Sequence, residues 1–477
     1  MDGEVKTRRC QVLVIGSGPA GYVAAIRLAQ LKKDVLLVEK NAALGGVCLI
    51  EGCIPSKAFI HAADLMGEAR EAARMGVHVE RIALDMRGLV QWKDQIVKKL
   101  TDGVKFLVQK SGAEILRGTA RFLSNRTAAV FHEGTRTGIE FETAVIATGA
   151  SNKELPGFPL DGERVIDSAA AFSLDRVPRS LAVVGAGYIG LELGTMFRKF
   201  GAEVTLIEPE PTLLPSLDWQ VGETLASRLG ELGVVLHLGS FAESFQAGDP
   251  SLVTIRDAQG HKRTIEAEKV LVCVGRRPLT NGLDLEKAGV TTNPRGFIDV
   301  DARLETNVPG IFAIGDVARD PMLAHKAYRE AKLVAALIAG EPAPVGEVVI
   351  PAAIYTDPEV AWAGLTGKEA QEKGLDVVSG TFPFRVSGRA LTLNAPEGFV
   401  KTIADAKTGL IRGVTVIGHN ASEVISEAAL AMELRASLKD LHGAVPPHPT
   451  LSEALIESID AALGQAIHIV NRRQTLP

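Results

Sequence analysis

The hydrophobic and polar positions near the start of the chain alternate in blocks that predict a strand, a turn, a helix and a second strand. The apolar run Gln11-Val-Leu-Val-Ile15 suits a buried parallel strand. The glycine-rich turn Gly16-Ser-Gly18-Pro-Ala-Gly21 follows directly, and Tyr22–Leu31 has helical character. Asp34–Val38 then predicts a second strand, which ends at Glu39. The pattern is typical of a βαβ unit with an acidic residue at its end.

The same pattern recurs in the middle of the chain. Ser180–Val184 predicts a strand, and Gly185-Ala-Gly187-Tyr-Ile-Gly190 forms the turn. Leu191–Phe200 predicts the helix, and Glu203–Ile207 predicts the next strand, which ends at Glu208. In both copies the acid lies 23 positions after the first glycine of the turn. This repeat is the strongest organisational signal in the sequence.

Three further apolar runs end in glycine, as strands do where they enter a loop: Thr143–Thr148 before Gly149, Lys269–Val274 before Gly275, and Gly310–Ile314 before Gly315-Asp316. Asn152–Pro159 and Glu341–Gly346 contain proline and predict linkers. Val348–Pro477 mixes strand-like and helix-like segments and has no third glycine fingerprint. We therefore predict the α/β fold class, with two Rossmann-like dinucleotide-binding domains followed by an α+β domain.

Composition narrows the function classes. The chain has 477 residues, 46% hydrophobic and 23% charged, as expected for a globular protein of several domains. Its net charge of −5 argues against nucleic acid or an anionic membrane as partner. The apolar stretches Val12–Leu31 and Leu181–Gly194 carry glycines and charges, so no transmembrane segment is predicted. The polar start Met1–Arg9 favours a cytoplasmic protein, with a mature organellar form as the alternative.

The two glycine turns predict dinucleotide binding, because each follows a strand, opens a helix and has an acid about 20 residues on. The glycines allow backbone N–H groups to approach a pyrophosphate, whose charge the helix N-terminus stabilises. Glu39 and Glu208 are placed to accept hydrogen bonds from a ribose. The alternative is that the glycines only shape tight turns. Glu208 repels a 2′-phosphate, and Pro209-Glu210-Pro211 supplies no arginine, so the second site is expected to prefer NAD over NADP.

The four cysteines are too few for a disulfide-stapled secreted fold. Cys48 and Cys53 form a close pair, which predicts a catalytic or a metal-binding role. A zinc site would need two further ligands, and His61 is the only histidine nearby. Cys10 and Cys273 lie in strand-like contexts and are predicted to be core residues. A redox pair at Cys48 and Cys53 is therefore favoured over zinc or core packing.

The cysteine pair is also the first point of resemblance to a known family. Gly45–Lys57 contains G-G-x-C-x-x-x-x-C-x-P-S-K and resembles the disulfide-containing flavoprotein reductases, the class I pyridine nucleotide-disulfide oxidoreductases. The resemblance continues through Ala147-Thr148-Gly149, Val274-Gly275-Arg276 and Ile314-Gly315-Asp316, and ends near Arg473. It implies a homodimer with an FAD-binding domain at 1–150, an NAD-binding domain at 151–276, a central domain completing the FAD region at 277–346, and a dimerisation domain at 347–477.

The resemblance further implies which residues hold each cofactor. Asp316 corresponds to the acid that binds the ribityl chain of FAD, Lys57 to the lysine near the flavin N5, and Glu192 to the ion-pair partner of that lysine. No metal is expected. The residues implied for FAD are Gly16, Gly18, Gly21, Glu39, Lys57, Gly118, Thr148, Gly149, Asp316 and Ala324, and those implied for NAD are Gly185, Gly187, Ile189, Gly190, Glu208, Gly275 and Arg276.

Within this family, three segments are similar to the dihydrolipoyl dehydrogenases: His448-Pro-Thr-Leu-Ser-Glu453-Ala454, Tyr355-Thr-Asp-Pro-Glu359 and Asn420-Ala-Ser-Glu423. The similarity implies oxidation of dihydrolipoyl groups on lipoyl-bearing proteins of 2-oxoacid dehydrogenase or glycine cleavage complexes. Mercuric-reductase-like members carry a C-terminal cysteine pair, whereas no cysteine follows Cys273 here. Pro446 replaces a histidine of many relatives, which leaves the identity of the carrier open. An NAD(P)H-dependent disulfide or quinone reductase, and a docking component without a dominant catalytic role, are the alternatives.

The resemblance implies a division of labour among four catalytic residues. The substrate thiolate attacks Cys48, Cys53 faces the flavin, and His448 from the partner subunit acts as a general base that Glu453 orients. The alternative is that Thr450-x-x-Glu453 is only a helix capping box. The two roles of Glu453 are compatible.

A disulfide between Cys48 and Cys53 constrains the local backbone. Residues five apart on a regular α-helix lie roughly 140° apart in projection. A disulfide needs Cα atoms within about 7 Å and converging Cβ directions. We therefore predict a break in the helix, at Glu51-Gly52, because glycine tolerates unusual dihedral angles.

Overall fold

A computed structural model describes residues 6–346, 348–471 and 474–475. The chain divides into two compact units, each assembled from three segments. The first unit comprises Met1–Phe59, Arg87–Lys153 and Gly275–Glu347, and the second comprises Ile60–Met86, Glu154–Val274 and Val348–Pro477.

The first unit is built on a seven-stranded sheet whose centre is the apolar run at the start of the chain. That run is the end of strand Lys6–Ile15, which pairs in parallel with Val35–Glu39 on one side and Thr135–Ile146 on the other. In spatial order the strands are Glu114–Arg117, Val35–Glu39, Lys6–Ile15, Thr135–Ile146, Thr127–His132 and Thr119–Phe122, with Ile311–Ala313 also paired to Thr135–Ile146. Ala150–Asn152 and Arg276–Pro278 form a separate antiparallel pair.

Both faces of this sheet are buried at its centre, as the unbroken apolar strands predict. Val12 and Val14 pack into one core with the helices Pro19–Gln30 and Ala324–Ala339. Leu13 packs into a second core on the opposite face. The other helices that begin in this unit or at its boundary are Gly46–Ile50, Cys53–Glu71, Met86–Ser111 and Leu285–Ala288, with a 3₁₀ turn at Gly315–Val317.

The second unit contains the second glycine turn on a five-stranded parallel sheet. In spatial order its strands are Val235–Leu238, Glu203–Glu208, Ser180–Val184, Lys269–Val272 and Val165–Ile166. Its helices are Ser168–Ala171, Tyr188–Phe200 and Trp219–Glu231, and a 3₁₀ turn covers Ala72–Met75. A three-stranded antiparallel sheet follows, made of Ser240–Gln246, Ser251–Asp257 and Lys262–Ala267.

The C-terminal part of the second unit is a six-stranded antiparallel sheet with its own core. In spatial order its strands are Ala352–Ile354, Glu359–Gly364, Ile411–Gly418, Phe399–Asp405, Val377–Pro383 and Gln474–Thr475. Its helices are Gly367–Glu372, Gly388–Thr392, Ala421–Glu433, Leu438–His442 and Glu453–Leu463, with a 3₁₀ turn at Phe384–Val386. The α/β class, with two Rossmann-like sheets and a C-terminal α+β part, is confirmed.

Several predicted boundaries were wrong by a few residues. The two helices after the glycine turns begin at Pro19 and Tyr188, because the third glycine of each turn lies inside the first helical turn rather than before it. The runs predicted as strands to Thr148 and Val274 leave their sheets two residues earlier, after Ile146 and Val272. In the described part of the chain, no helix combines the length and apolar character needed to cross a membrane.

Candidate active site

The first glycine turn has two positions where packing itself demands glycine and one where it does not. Gly16 has φ of +99°, and a Cβ there would lie 2.5 Å from the Ala147 carbonyl oxygen. A Cβ on Gly21 would lie 1.8 Å from the Gly16 oxygen. A Cβ on Gly18 would meet only the Gly46 Cα, at 3.9 Å. The middle glycine therefore leaves open space that the protein does not fill.

The second turn repeats this arrangement. Gly185 has φ of +97°, and its Cβ would lie 2.5 Å from the Cys273 carbonyl oxygen. A Cβ on Gly190 would lie 1.9 Å from the Gly185 oxygen, whereas one on Gly187 would meet nothing within 4 Å. Both turns thus combine tight strand–helix packing with one open backbone position at the start of a helix.

The acids at the ends of the second strands hold these turns in place. Glu39 accepts hydrogen bonds from the Ser17 backbone N–H at 2.9 Å and from the Ser17 hydroxyl at 2.6 Å. Glu208 accepts one from the Ala186 N–H at 2.6 Å and one from the Glu210 N–H at 3.1 Å. Each carboxylate is therefore oriented toward the residue between the first two glycines of its turn.

The remaining residues predicted for FAD lie around the first unit's sheet. Gly118 donates its backbone N–H to the Glu39 carbonyl at 2.8 Å, so it lies beside the end of that strand. Thr148 donates its hydroxyl to the Leu279 carbonyl at 2.7 Å, and Gly149 accepts the Leu279 N–H at 2.9 Å. Ala324 is the first residue of helix Ala324–Ala339.

Asp316 lies half-buried in the 3₁₀ turn Gly315–Val317 of the same unit. Burial raises the pKa of Asp316, and the charges of Lys326 and Arg276 oppose this rise. Arg276, predicted to contact NAD, donates to the Asn152 side chain at 2.9 Å and to the Ala150 carbonyl at 2.6 Å. These hydrogen bonds stabilise the antiparallel pairing of strands Ala150–Asn152 and Arg276–Pro278.

Two further residues predicted for NAD are Gly275, in a loop, and Ile189, in a helix. Gly275 adopts φ of +102° and accepts the Lys153 N–H at 3.0 Å. Ile189 is the second residue of helix Tyr188–Phe200.

The predicted helix break between the two cysteines is confirmed. One helix ends at Ile50 and the next begins at Cys53, so Glu51 and Gly52 lie outside both. Glu51 has φ −131° and ψ −4°, which is not helical. The interruption brings the two sulfurs together, and Cys48 and Cys53 interact as thiols through a hydrogen bond.

The environment of Cys48 favours its protonated form. The hydrogen bond with Cys53, together with burial and the charge of Cys53, raises the pKa of Cys48, while Lys57 opposes the rise. Lys57 therefore lies close enough to act electrostatically on the pair.

Two tyrosines near the cysteine pair were not predicted from the sequence. The Tyr22 and Tyr328 hydroxyls lie 3.1 Å apart, and burial raises the pKa of both phenols. The charge of Cys48 also acts on both. Tyr22 follows the glycine turn directly, which could have drawn attention to it. Tyr328 lies mid-helix, and nothing in the local sequence marks it.

The other two cysteines have different surroundings. Cys10 is buried in a core of the first unit, and burial raises its pKa to about 12, so its prediction as a core residue is confirmed. Cys273 is half-buried beside Gly185, and burial raises its pKa also. The zinc alternative gains no support, because no cluster of three or more suitable ligands occurs among the residues that the structure describes.

His448 and Glu453 form the predicted pair. His448 Nδ1 and a Glu453 carboxylate oxygen are 2.7 Å apart, and the other carboxylate oxygen accepts the Thr450 N–H at 2.7 Å. Burial raises the pKa of Glu453, but these hydrogen bonds outweigh it and leave the pKa below its ordinary value. The reciprocal capping box is not formed, because Glu453 is the first helical residue and the Thr450 hydroxyl donates to the Pro447 carbonyl.

Glu192, predicted to pair with Lys57, is buried on helix Tyr188–Phe200 and accepts the Tyr355 backbone N–H at 3.0 Å. Two residues on, Asp357 binds Lys199 of the same helix at 2.7 Å and Arg228 at 3.3 Å. The segment that contains Tyr355 and Asp357 thus contacts helix Tyr188–Phe200 at two residues, Glu192 and Lys199. The Lys57–Glu192 ion pair stays a prediction.

Comparison with known proteins places these features in a family. The model described as pyridine nucleotide-disulphide oxidoreductase matches residues 10–331, and the model of the dimerisation domain of the same family matches residues 350–459. The chain belongs to the pyridine nucleotide-disulphide oxidoreductase family. Members of this family use FAD and NAD.

Curated relatives in this family match nearly the whole chain. Dihydrolipoyl dehydrogenase 3 of Haloarcula marismortui is 45% identical, with 98% of this chain and 99% of the relative covered. The dihydrolipoyl dehydrogenase of Thermus scotoductus is 46% identical over 97% of this chain and 99% of the relative. Among solved structures, LpdA from Mycobacterium tuberculosis matches with a TM-score of 0.88 and 27% identity, covering 94% of this chain and 99% of that one.

A second solved structure with the same fold is the HOCl-induced flavoprotein disulfide reductase RclA from Escherichia coli. It matches with a TM-score of 0.84 and 28% identity, covering 94% of this chain and 99% of that one. The family's architecture is therefore shared along nearly the whole chain.

Proposed function

We propose that this protein is a dihydrolipoyl dehydrogenase, which oxidises protein-bound dihydrolipoyl groups and passes the electron pair through Cys48 and Cys53 to FAD and then to NAD⁺. The observation that carries this proposal is the interrupted helix, which brings two thiols into contact beside Lys57. The full-length similarity to curated dihydrolipoyl dehydrogenases supports the choice of substrate.

The residues of the two glycine turns fit bound dinucleotides. A Cβ on Gly187 would meet nothing within 4 Å and one on Gly18 only the Gly46 Cα at 3.9 Å, so both positions leave room for a ligand. The turn around Gly18, with Glu39, Lys57, Gly118, Thr148, Gly149, Asp316 and Ala324, would hold FAD. The turn around Gly187, with Ile189 and Glu208, would hold NAD.

FAD and NAD⁺, when bound, supply the hydride chemistry that takes the electron pair from the dithiol. The protein's own residues carry out the thiol steps. With Cys48 and Cys53 joined as a disulfide, a substrate thiolate attacks Cys48, a mixed disulfide forms, and Cys53 leaves as a thiolate. The second substrate thiolate then attacks its neighbouring sulfur, which closes the lipoyl disulfide and releases Cys48. This order of roles follows the family's division of labour between the two cysteines.

His448 supplies the base for these steps. A thiol reacts as its thiolate, so the substrate must first lose a proton. Glu453 fixes the imidazole through Nδ1, which leaves Nε2 to accept the substrate's proton. The lowered pKa of Glu453 keeps its carboxylate charged, and that charge stabilises the imidazolium that forms.

We infer that the protein works as a homodimer and that His448 serves the partner subunit's cysteine pair. The match to the family's dimerisation domain supports this inference. So do the large apolar side chains exposed in this region, including Leu430 at 63%, Leu434 at 74% and Val445 at 93%. Lipoyl-bearing proteins of 2-oxoacid dehydrogenase or glycine cleavage complexes are the proposed partners, and a cytoplasmic location stays a prediction.

The visible spectrum of the purified FAD-containing protein tests this function. Adding dihydrolipoamide should bleach the oxidised flavin band, and NAD⁺ should then restore it with formation of NADH. A Cys48→Ser variant should keep the flavin but lose bleaching by dihydrolipoamide. If glutathione disulfide with NADPH turned the protein over while dihydrolipoamide left the spectrum unchanged, the chain would be a different disulfide reductase.

A further inference from the structure

The 3₁₀ turn that carries Asp316 lies at the same edge of the first unit's sheet as the first glycine turn. It follows strand Ile311–Ala313, which runs parallel to the central strands of that sheet. The carboxyl ends of these strands therefore meet at one edge, where parallel sheets bind cofactors. The two turns are also in contact, because a Cβ on Gly315 would lie 3.1 Å from the Ala20 Cβ, in the helix that the glycine turn opens.

Two oppositely charged side chains are buried next to the turn that carries Asp316. Lys326 and Glu330 are 2% and 3% exposed, and they lie four residues apart on helix Ala324–Ala339. Lys326 Nζ and a Glu330 carboxylate oxygen are 3.5 Å apart. Removing two charges from water is costly, so their burial calls for interactions beyond the ion pair itself.

Glu330 binds both ends of the segment Gly315–Arg319, which contains Asp316. One carboxylate oxygen accepts the Gly315 backbone N–H at 2.7 Å, immediately before Asp316. The other accepts the Arg319 Nε–H at 2.9 Å, three residues after Asp316. A single buried carboxylate thus fixes the two ends of this segment.

Lys326 binds carbonyl groups of the same segment. Its Nζ donates to the Arg319 carbonyl at 2.6 Å and to the Gly315 carbonyl at 3.3 Å. Together, Lys326 and Glu330 therefore bind both backbone polar groups of Gly315. The charge of Lys326 also opposes the rise in the pKa of Asp316 that burial causes, so it acts on that carboxylate as well.

The stability of the fold alone does not account for the Lys326–Glu330 pair. Replacing a buried ion pair with apolar side chains of similar volume is often neutral or stabilising. An apolar pair could not bind the N–H and C=O groups of Gly315, nor the side chain of Arg319. What the charged pair provides is a defined conformation of the segment that carries Asp316.

We propose that Glu330 is a positioning residue for the flavin: with Lys326, it fixes the segment Gly315–Arg319 so that the Asp316 carboxylate is held where it accepts hydrogen bonds from the ribityl chain of FAD. The inference rests on the proposed function, which assigns Asp316 to FAD. Glu330 need not touch the cofactor, because its effect passes through the backbone of the turn.

A matched control lies at the other end of the same strand. Glu305 accepts the backbone N–H of Gly310, just before strand Ile311–Ala313, at 2.8 Å. Glu330 accepts the N–H of Gly315, just after that strand. Glu305 thus makes the same type of hydrogen bond at the edge opposite the proposed cofactor, so Glu305→Gln should leave FAD binding unchanged.

The test measures the rate of FAD release from the diluted holoprotein, followed by the fluorescence of free flavin. Asp316→Asn should speed release roughly 10-fold to 100-fold, which corresponds to the loss of one hydrogen bond to a charged group. Glu330→Gln should speed release roughly tenfold, because it displaces that carboxylate without removing it. The double variant should release FAD at the rate of Asp316→Asn alone, because Glu330 acts through Asp316.

A spectroscopic readout accompanies the rates. The visible circular dichroism of the bound flavin reports on the asymmetry of its surroundings. It should change in the same direction in Glu330→Gln and Asp316→Asn, and should stay as in the parent in Glu305→Gln.

A second variant covers the case in which Glu330→Gln fails to fold because Lys326 is left buried without a counterion. Lys326→Met combined with Glu330→Gln removes both charges at similar volume, and it should also speed FAD release. Release at the parent's rate in the folded variants of this pair, or an equal effect in Glu305→Gln, would overturn the role of Glu330. So would effects of Asp316→Asn and Glu330→Gln that multiply in the double variant, since a purely structural residue would act independently of Asp316.

The release rates also separate this inference from the proposed function, because they need no substrate. If the parent bound FAD but dihydrolipoamide failed to reduce it, the proposed function would be wrong, while the release rates would still report on Glu330. If dihydrolipoamide reduced the parent but the Glu330 variants released FAD at the parent's rate, the function would stand and the positioning role would be wrong.

Discussion

At the scale of single residues, the three glycines of each turn have separable causes. The first and third are required by the protein's own packing, since an added Cβ would lie within 2.5 Å of a carbonyl oxygen. The second is required by nothing in the described structure around it, and its backbone angles, φ −65° at Gly18 and φ −69° at Gly187, are open to any residue. A bound pyrophosphate would explain why the middle position of each turn is glycine.

This difference predicts opposite outcomes for two alanine variants of the second turn. Gly187→Ala should fold with the parent's thermal midpoint but bind NAD⁺ more weakly, because the methyl group occupies the space left for the pyrophosphate. Gly190→Ala should lower stability by about 1–3 kcal/mol through overpacking against Gly185. Calorimetric titration with NAD⁺ and a thermal melt of each variant would measure both effects. Equal loss of stability in the two variants would contradict this account.

Glu208 predicts the choice of pyridine nucleotide. Its carboxylate is oriented by two backbone N–H groups and carries a charge that repels a 2′-phosphate. The parent should favour NAD⁺ strongly, and Glu208→Gln combined with Glu210→Arg should narrow or reverse the preference. Glu203→Gln, at the exposed start of the same strand, is the control and should change nothing. Steady-state kcat/KM with each nucleotide decides, and equal use of NADP⁺ by the parent would contradict the prediction.

His448→Gln should separate the two half-reactions. Loss of a general base typically lowers a rate by about 10² to 10⁴, and the loss should fall on flavin reduction by dihydrolipoamide. Reduction of the flavin by NADH needs no proton from the dithiol and should be little changed. Stopped-flow traces of both half-reactions provide the measurement. A variant that dihydrolipoamide reduced at the parent's rate would assign Glu453 to helix capping alone.

At the scale of elements, the sequence predicted those helices, strands and breaks that depend on the local pattern of residues. The strand–turn–helix units and the break at Glu51-Gly52 follow from apolar runs, glycine spacing and the geometry of a helix. The antiparallel extension of the first sheet through Thr127–His132 and Thr119–Phe122 was not predicted, although the two-residue turn Glu133-Gly134 joins Thr127–His132 directly to Thr135–Ile146 and is a local hairpin signal. The pairing of His468 with Glu457 was missed because the two residues lie on different segments, 11 positions apart.

Asp357 forms ion pairs with Lys199 and Arg228, which lie on two different helices of the second unit. These pairs predict how the stability of the protein changes with acid. Burial raises the pKa of Asp357, but Lys199 and Arg228 outweigh it and lower the pKa. A lowered folded-state pKa contributes stability that is present above the unfolded value, about 3.9, and is lost as pH falls through the folded value. Asp357→Asn should therefore be less stable than the parent at pH 7, toward the lower end of about 3–5 kcal/mol.

The difference between the parent and Asp357→Asn should shrink as pH falls below about 4. Urea denaturation midpoints across the pH range provide the measurement. Asp102→Asn, which removes the exposed pair with Lys98, is the control and should cost no more than about 1 kcal/mol. A parent–variant difference that stayed constant down to pH 3 would show that the charge of Asp357 is not what stabilises this network.

At the scale of the whole molecule, the proposed chemistry depends on whether a second copy of the chain packs against the C-terminal part, where the proposed base lies. The proposed base His448 is 82% exposed, while the cysteine pair that it would serve lies in the first unit. A base needs a fixed position relative to its substrate. Apolar side chains exposed in the same C-terminal part of the chain, such as Val445 and Leu434, indicate that a second copy covers this surface.

A double variant of this surface tests whether assembly and catalysis depend on each other. Leu430→Asp with Leu434→Asp places two charges on side chains that are 63% and 74% exposed within the matched dimerisation domain. If these residues are buried in a homodimer, the charges must be desolvated without partners, and the dimer should dissociate. Phe241→Asp is the control, because Phe241 is also large and apolar, is 56% exposed, and lies outside residues 350–459. Sedimentation velocity should show half the parent's mass for the double variant alone.

Dihydrolipoamide oxidation should fall with the dimer fraction, while reduction of bound flavin by NADH persists, since that step needs no residue from the partner. A dissociated variant with full dihydrolipoamide activity would show that each chain carries its own complete site.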